Sequence, residues 1–291
     1  MNTAFKENLL LVLIIATFFS ACTPKENFTK YALKDSRAAT DAKQPEDVAA
    51  KPAADAATIM VRKEVPVLCY HQIRDWTGSD PKSAKDFIVP VEVFKAQLKI
   101  LADSGYHTIL PDQLYNYLTA GAPLPAKPFM LTYDDTDDDQ YNMAEPEMKK
   151  YGFKGVYFIM TVSLNRPKYM TREQVKDLSD AGNMIELHTW DHHRFTSYKT
   201  PADWETQVEK PKRKIEEITE KPAEFFAYPY GLWNKEGIPE LKKRGIKAAF
   251  QLSTKRDPEE PLYTIRRMIA SGCWSAPGMY RSMTRTFHLN D

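Results

Sequence analysis

Acidic residues and histidines in this chain stand directly after short apolar runs, and their types suit metal-assisted hydrolysis. Phe129-Met-Leu-Thr-Tyr133 runs into Asp134 and Asp135, and Met184-Ile-Glu-Leu187 runs into His188-Thr-Trp-Asp-His192. Val65-Pro-Val-Leu-Cys-Tyr70 runs into His71, and Glu224-Phe-Phe-Ala-Tyr228 into Pro229-Tyr230-Gly231. Two neutral imidazoles and one carboxylate leave a coordination position open, which separates a catalytic zinc site from a closed structural one. A bound divalent ion lowers the pKa of water from about 15.7 to about 7 and polarises a carbonyl. A carboxylate outside the ligand set can then take the proton. Neighbouring side chains on an extended strand diverge, but at a strand end the chain turns, and Asp134 and Asp135 can reach one pocket in different roles.

Other chemistries fit less well. His188 and His192 have the spacing of a helical zinc pair but lack the glutamate of His-Glu-x-x-His, so a loop or first helical turn is expected. His193 adjoins the pair and could replace His192 as ligand. A calcium loop starting at Asp135 fails because Gln140 takes the glycine position and Pro146 the bidentate glutamate position. Asp137, Asp138 and Asp139 then read as a solvated acidic loop. Adjacent carboxylates also give no reason for two acids to flank a sugar as in a glycosidase.

Strand-like and helix-like segments alternate from Val65 onward, which argues for parallel pairing in an α/β fold. Strands are expected at Val65–Tyr70, Thr108–Leu110, Phe129–Tyr133, Gly155–Met160, Met184–Leu187, Glu224–Tyr228, Ile246–Phe250 and Tyr263–Ile269. Helices are expected from Pro90, near Tyr141–Tyr151, from Thr171 to Ala181, over Pro201–Glu220 and Pro239–Arg244, and from Ala276. Seven or eight such units fit an irregular (β/α) barrel, whose strand ends converge on one face where active sites are built. No Gly-rich loop follows any strand, which removes a nucleotide-binding reading.

The first 21 residues read as a targeting signal: Lys6 precedes the apolar run Leu9–Phe19, too short to span a bilayer. The run closes on Phe19-Ser-Ala-Cys22, near to a bacterial lipobox, so a lipidated Cys22 is expected to tether an exported protein to a membrane, in the outer membrane and periplasm or at the cell surface. Residues 22–60, rich in Ala, Lys, Asp and Pro, read as a disordered linker, and residues 61–291 as one domain. A formal net charge of +1 with no basic stripe gives no nucleic-acid surface. Cys69 and Cys273 could pair in an oxidising compartment but need not.

From Val65 to Ile269 the chain resembles the polysaccharide deacetylases of carbohydrate esterase family 4. Thr132-Tyr-Asp-Asp135 is similar to that family's Thr-Phe-Asp-Asp-Gly, and His188-Thr-Trp-Asp-His192 to its His-Ser/Thr-x-x-His. The resemblance implies Asp134 as general base and Asp135, His188 and His192 as ligands of Zn2+ or a related metal such as Co2+ or Ni2+. It also implies an irregular (β/α) barrel that removes acetyl groups from glycans. Cys69-Tyr-His-Gln-Ile73 and Phe226-Ala-Tyr-Pro-Tyr-Gly231 look like the branch acting on poly-N-acetylglucosamine, where an early Tyr-His supplies the acid; His71 is then the proton donor. Pro229, Tyr230, Arg267 and Trp190 are the expected substrate-binding residues, with the Tyr230 N–H at the oxyanion. Thr136 departs from the motif's closing glycine, and Ala227 stands where many members carry an arginine that orients the base. Arg266 or Arg267 is expected to replace that cation. The implied activity is N-deacetylation of an extracellular N-acetylglucosamine polymer. An O-acetyl esterase acting on a xylan-type glycan and a non-catalytic carbohydrate-binding lipoprotein are the alternatives.

Overall fold

The computed structural model describes residues 54–252 and 255–289, so the expected signal, Cys22 and the linker up to residue 53 lie outside the described residues. Eight strands are seen: β1 (Val67–Tyr70), β2 (His107–Thr108), β3 (Pro128–Asp134), β4 (Gly155–Ile159), β5 (Met184–Leu187), β6 (Phe225–Ala227), β7 (Ala248–Phe250) and β8 (Met268–Ile269). They run in the order β7-β6-β5-β4-β3-β1-β8, with β2 beside the start of β3, and every pairing is parallel. Ile265 bridges to Phe250 of β7, while Met268 and Ile269 pair with Leu68 and Cys69 of β1. The segment 265–269 therefore joins both edges of the curled sheet and completes an irregular (β/α) barrel.

Strand periodicity decides which side chains face inward. Leu68, Tyr70, Leu131, Tyr133, Ile185, Leu187 and Met268 belong to a cluster shared with helix residues Phe94, Leu98, Met148 and Met283. Val67, Met130, Val156, Phe158, Phe225, Ala248 and Phe250 form a second cluster, which fills the barrel. Cys69, Thr132, Asp134, Glu186 and His188 alternate with the first set, so the same period of two places them inside. Parallel register then brings the strand ends level: Tyr70 pairs with Tyr133, Asp134 with Phe158, Ile159 with Leu187, and Leu187 with Phe226.

Four expectations need correction. The helix Ala56–Val61 falls inside the stretch expected to be linker. Asp55 caps it through the Thr58 N–H at 2.8 Å, Ile59 is buried, and the Ala54 N–H donates to the Thr119 carbonyl at 2.9 Å. The expected helix over Pro201–Glu220 is broken into Pro201–Trp204, a π-type turn Glu205–Glu209 and Lys210–Thr219; Pro211 cannot donate to a preceding carbonyl, and the chain widens by one residue just before it. Pro146 has the same effect on the expected helix near Tyr141–Tyr151, which begins with a π-type turn Gln140–Ala144. The last expected strand shortens to Met268–Ile269 after a 3-10 turn at Pro261–Tyr263. Cys69 is buried, Cys273 exposed, and the two are not bonded to each other.

Candidate active site

At the carboxyl ends of β3 and β5, Asp135, His188 and His192 turn their ligand atoms to within 4.8 Å of one another. His188 Nδ1–H donates to the Ala227 carbonyl at 2.8 Å, which fixes the tautomer and leaves Nε2 as a lone pair. That lone pair faces Asp135 Oδ1 at 3.4 Å, and His192 Nε2 lies 3.6 Å from the same oxygen. Both His188 Nε2 and Asp135 Oδ1 are buried without a hydrogen-bond partner. Facing acceptors with no donor between them need a cation, either a proton or a metal. Burial disfavours the imidazolium of His188, but Asp134 and Asp135 outweigh it and raise its pKa. Burial and the neighbouring His188 push His192 down to about 4, so its ring is neutral at pH 7 and able to coordinate. A borderline-soft divalent ion bound by two nitrogens and one oxygen fits this donor set. His193 points elsewhere, its ring stacked on Tyr198.

Asp134 sits behind this group, with Oδ2 3.8 Å from His188 Nε2. Arg267 grips it with both terminal nitrogens, at 2.6 and 2.7 Å, and donates further to Thr132 Oγ1 at 3.2 Å and the Gln251 carbonyl at 3.2 Å. Burial alone would raise the carboxyl's pKa. The Arg267 charge, His188 and the paired hydrogen bonds more than cancel that and hold it well below the usual carboxylate range. Arg267 thus takes the orienting place left by Ala227, from the segment just before β8. It lines the cleft but is only 1% exposed, and its donors are engaged by Asp134, Thr132 and Gln251. Arg266, the adjacent candidate, points the other way and pairs with Glu64.

A cleft of about 560 Å³ opens over these groups, lined by His71, Asp134, Asp135, His188, His192 and Tyr230 among others. His71 Nδ1 is buried and unpartnered. Tyr230 is 54% exposed; its ring lies edge-on to His192 at 4.3 Å, and the buried Pro229 precedes it. Trp190 is 41% exposed and lies outside the residues lining the cleft; its N–H donates to Gln207 Oε1 and its carbonyl accepts from the Val162 N–H. Thr136 keeps the left-handed turn of the glycine it replaces, with φ 73°, and its hydroxyl oxygen accepts from the Met160 N–H at 2.8 Å. Such a backbone costs on the order of 1–3 kcal/mol, which that anchor helps to hold. Asp137, expected to be solvated, is buried against Gln72 Nε2 at 3.3 Å. Burial, with Asp139 and Asp135 nearby, pushes its pKa up to about 8. Sequence reasoning missed Gln140, whose side-chain amide donates to the carbonyls of both His71 and Asp134 and ties the two strand ends together. Its position directly after the acidic run was the available signal.

A family model described as polysaccharide deacetylase matches residues 121–249, which include Asp134, Asp135, His188, His192 and Tyr230. Over these residues the chain is similar to the polysaccharide deacetylases. YxkH of Bacillus subtilis (strain 168), a polysaccharide deacetylase by name, is 28% identical over 221 residues that cover 74% of this chain and 73% of its own length. The poly-beta-1,6-N-acetyl-D-glucosamine N-deacetylase of Staphylococcus aureus (strain MRSA252) is 25% identical over 226 residues, 70% of this chain and 78% of the relative. Among solved structures, the Streptococcus pyogenes deacetylase PplD in complex with acetate superposes with a TM-score of 0.68 at 23% identity, covering 76% of this chain and 98% of that one. IcaB from Ammonifex degensii superposes at 0.64 and 22%, covering 78% and 98%. At these identities the structural likeness establishes the fold alone.

Proposed function

We propose that this domain is a metal-dependent hydrolase that removes N-acetyl groups from an extracellular N-acetylglucosamine polymer. The observation that carries the reading is the convergence of Asp135, His188 and His192, with Asp135 Oδ1 and His188 Nε2 buried and unpartnered, beside an Arg267-held Asp134. A Zn2+, Co2+ or Ni2+ ion held by the trio would supply Lewis-acid polarisation of the acetyl carbonyl and acidify a water. Asp134, kept ionised and fixed in direction, accepts the proton that the attacking water gives up. The backbone N–H of Tyr230 would donate to the oxygen that gains charge. His71 gives a proton to the leaving nitrogen as its bond to the acetyl carbon breaks, so the products are acetate and a free amine. The polymer preference is drawn from the Staphylococcus aureus relative and from the Tyr70-His71 and Tyr228-Pro229-Tyr230 segments.

The purified domain is expected to release acetate from an N-acetylglucosamine tetramer faster than from acetylxylan, and EDTA should abolish release until Zn2+, Co2+ or Ni2+ is restored. Faster release from acetylxylan would establish the O-acetyl esterase instead. No acetate from either, with metal present, would leave the carbohydrate-binding reading. Export and tethering rest on Leu9–Phe19 and Cys22 alone. A Cys22→Ala chain should move from the membrane fraction to the soluble fraction, and unchanged partition would refute the lipid anchor.

A further inference from the structure

Between β1 and the helix Val91–Asp103, an exposed phenylalanine stands on a backbone fixed from several sides. Phe87 is 40% exposed, lines the cleft, and meets the His71 ring edge-on with centroids 5.1 Å apart. Its carbonyl accepts from the Gln72 N–H at 3.0 Å, and the Val89 N–H donates back to the Gln72 carbonyl at 2.9 Å. On one side Asp86 accepts from Ser271 Oγ at 2.6 Å. On the other, the Ile88 carbonyl accepts from Trp76 Nε1 at 2.8 Å. Gly272 packs so close beneath that a Cβ there would come within 2.0 Å of the Ile88 carbonyl oxygen. None of this anchoring buries the Phe87 ring. A large apolar side chain held rigidly at the mouth of a site, and left open to water, has the character of a ligand contact.

Arg74, also lining the cleft, is held in one orientation. Its guanidinium pairs with Asp80 at 2.9 and 2.8 Å and donates to Gln72 Oε1 at 2.9 Å. Asp80 is in turn fixed by the Thr77 N–H at 2.7 Å. A flat apolar ring next to an oriented, half-exposed polar fork matches a pyranose, which presents C–H groups on a face and hydroxyls at its rim. We propose that Phe87 and Arg74 form a glycan subsite beside the reacting centre, one that takes the sugar next to the acetylated one. The proposal deepens the reading of the site as acting on an N-acetylglucosamine polymer and rests on it. The consequence is a dependence on chain length, because a monosaccharide has no neighbouring ring to offer.

The test compares wild-type protein with Phe87→Leu, Phe87→Trp and Arg74→Met on N-acetylglucosamine monosaccharide and tetramer. Leucine keeps apolar contact with His71 but removes the ring. The tetramer-to-monosaccharide ratio of kcat/KM should fall about tenfold in Phe87→Leu, mostly through KM, which is the scale of one lost ring contact. Phe87→Trp should restore it, and Arg74→Met should lower it as well. An unchanged ratio, or an equal loss on both substrates, would overturn the subsite. If wild-type protein releases no acetate, the reaction fails but the subsite is still read by saturation-transfer NMR of the tetramer with EDTA present. Transfer to sugar-ring protons should be seen in wild type and lost in Phe87→Leu; equal transfer in both would refute the proposal.

Discussion

Replacing His188 with alanine should leave a folded protein that no longer retains one equivalent of Zn2+ through dialysis and that releases acetate at least about 10³-fold more slowly. A Lewis acid at this position is worth several kcal/mol of transition-state stabilisation, and each ~1.4 kcal/mol is a factor of ten. His188 is the most sensitive ligand position because two of its contacts act together. Nδ1–H is tied to the Ala227 carbonyl, and Nε2 faces Asp135 and Asp134 at 3.4 and 3.8 Å. Asparagine at Asp135 should give a similar loss of metal. Alanine at His193, which stacks on Tyr198 outside the group, should not. Metal content by elemental analysis, with thermal melting as the control for folding, separates these outcomes. Full retention of zinc by the His188 variant would remove the basis for a metal centre.

Methionine at Arg267 is expected to be the most damaging substitution for stability. The pair with Asp134 is almost completely enclosed, at 1% and 3% side-chain exposure, and removing one member leaves an uncompensated charge. Breaking such a pair costs about 3–5 kcal/mol. Denaturant unfolding should show that loss, and acetate release should fall with it because Asp134 loses its direction. Pairing Arg267→Met with Asp134→Asn should recover part of the stability and none of the activity, since no buried charge is then unmatched. The pH dependence follows from the same contact. A carboxyl whose folded pKa is depressed contributes stability that is present above its unfolded value, near ~3.9, and lost as pH falls toward the lower folded value. Wild-type protein should therefore lose this contribution only in strong acid. A variant no less stable than wild type would show that the pair has no net structural role.

The strand ends were legible in the chain because a parallel barrel obliges them to meet. Apolar runs such as Phe129–Tyr133 announce buried strands, and the polar residues that follow can only lie at the rim. Which arginine would face Asp134 was not legible. Residues 266 and 267 lie on opposite sides of the closing segment, and only the register of that segment, bridged at Ile265 and paired at Met268, selects Arg267. Phe87 was missed because nothing local marks it; its importance comes from Ser271 and Gly272, nearly 200 residues away. The helix Ala56–Val61 hid in an alanine-rich stretch with a single buried anchor, Ile59.

The counter-ion of the central carboxylate arrives from the segment that closes the barrel, just before β8, so the chemistry is contingent on a late part of the polypeptide. While the protein is being made, Asp134, Asp135, His188 and His192 all precede Arg267, which reaches its place only when the segment 265–269 docks between β7 and β1. A partly emerged chain would hold the acid with nothing to neutralise it, and so would remain inert. In this architecture, the aiming of Asp134 and the closure of the barrel are one event.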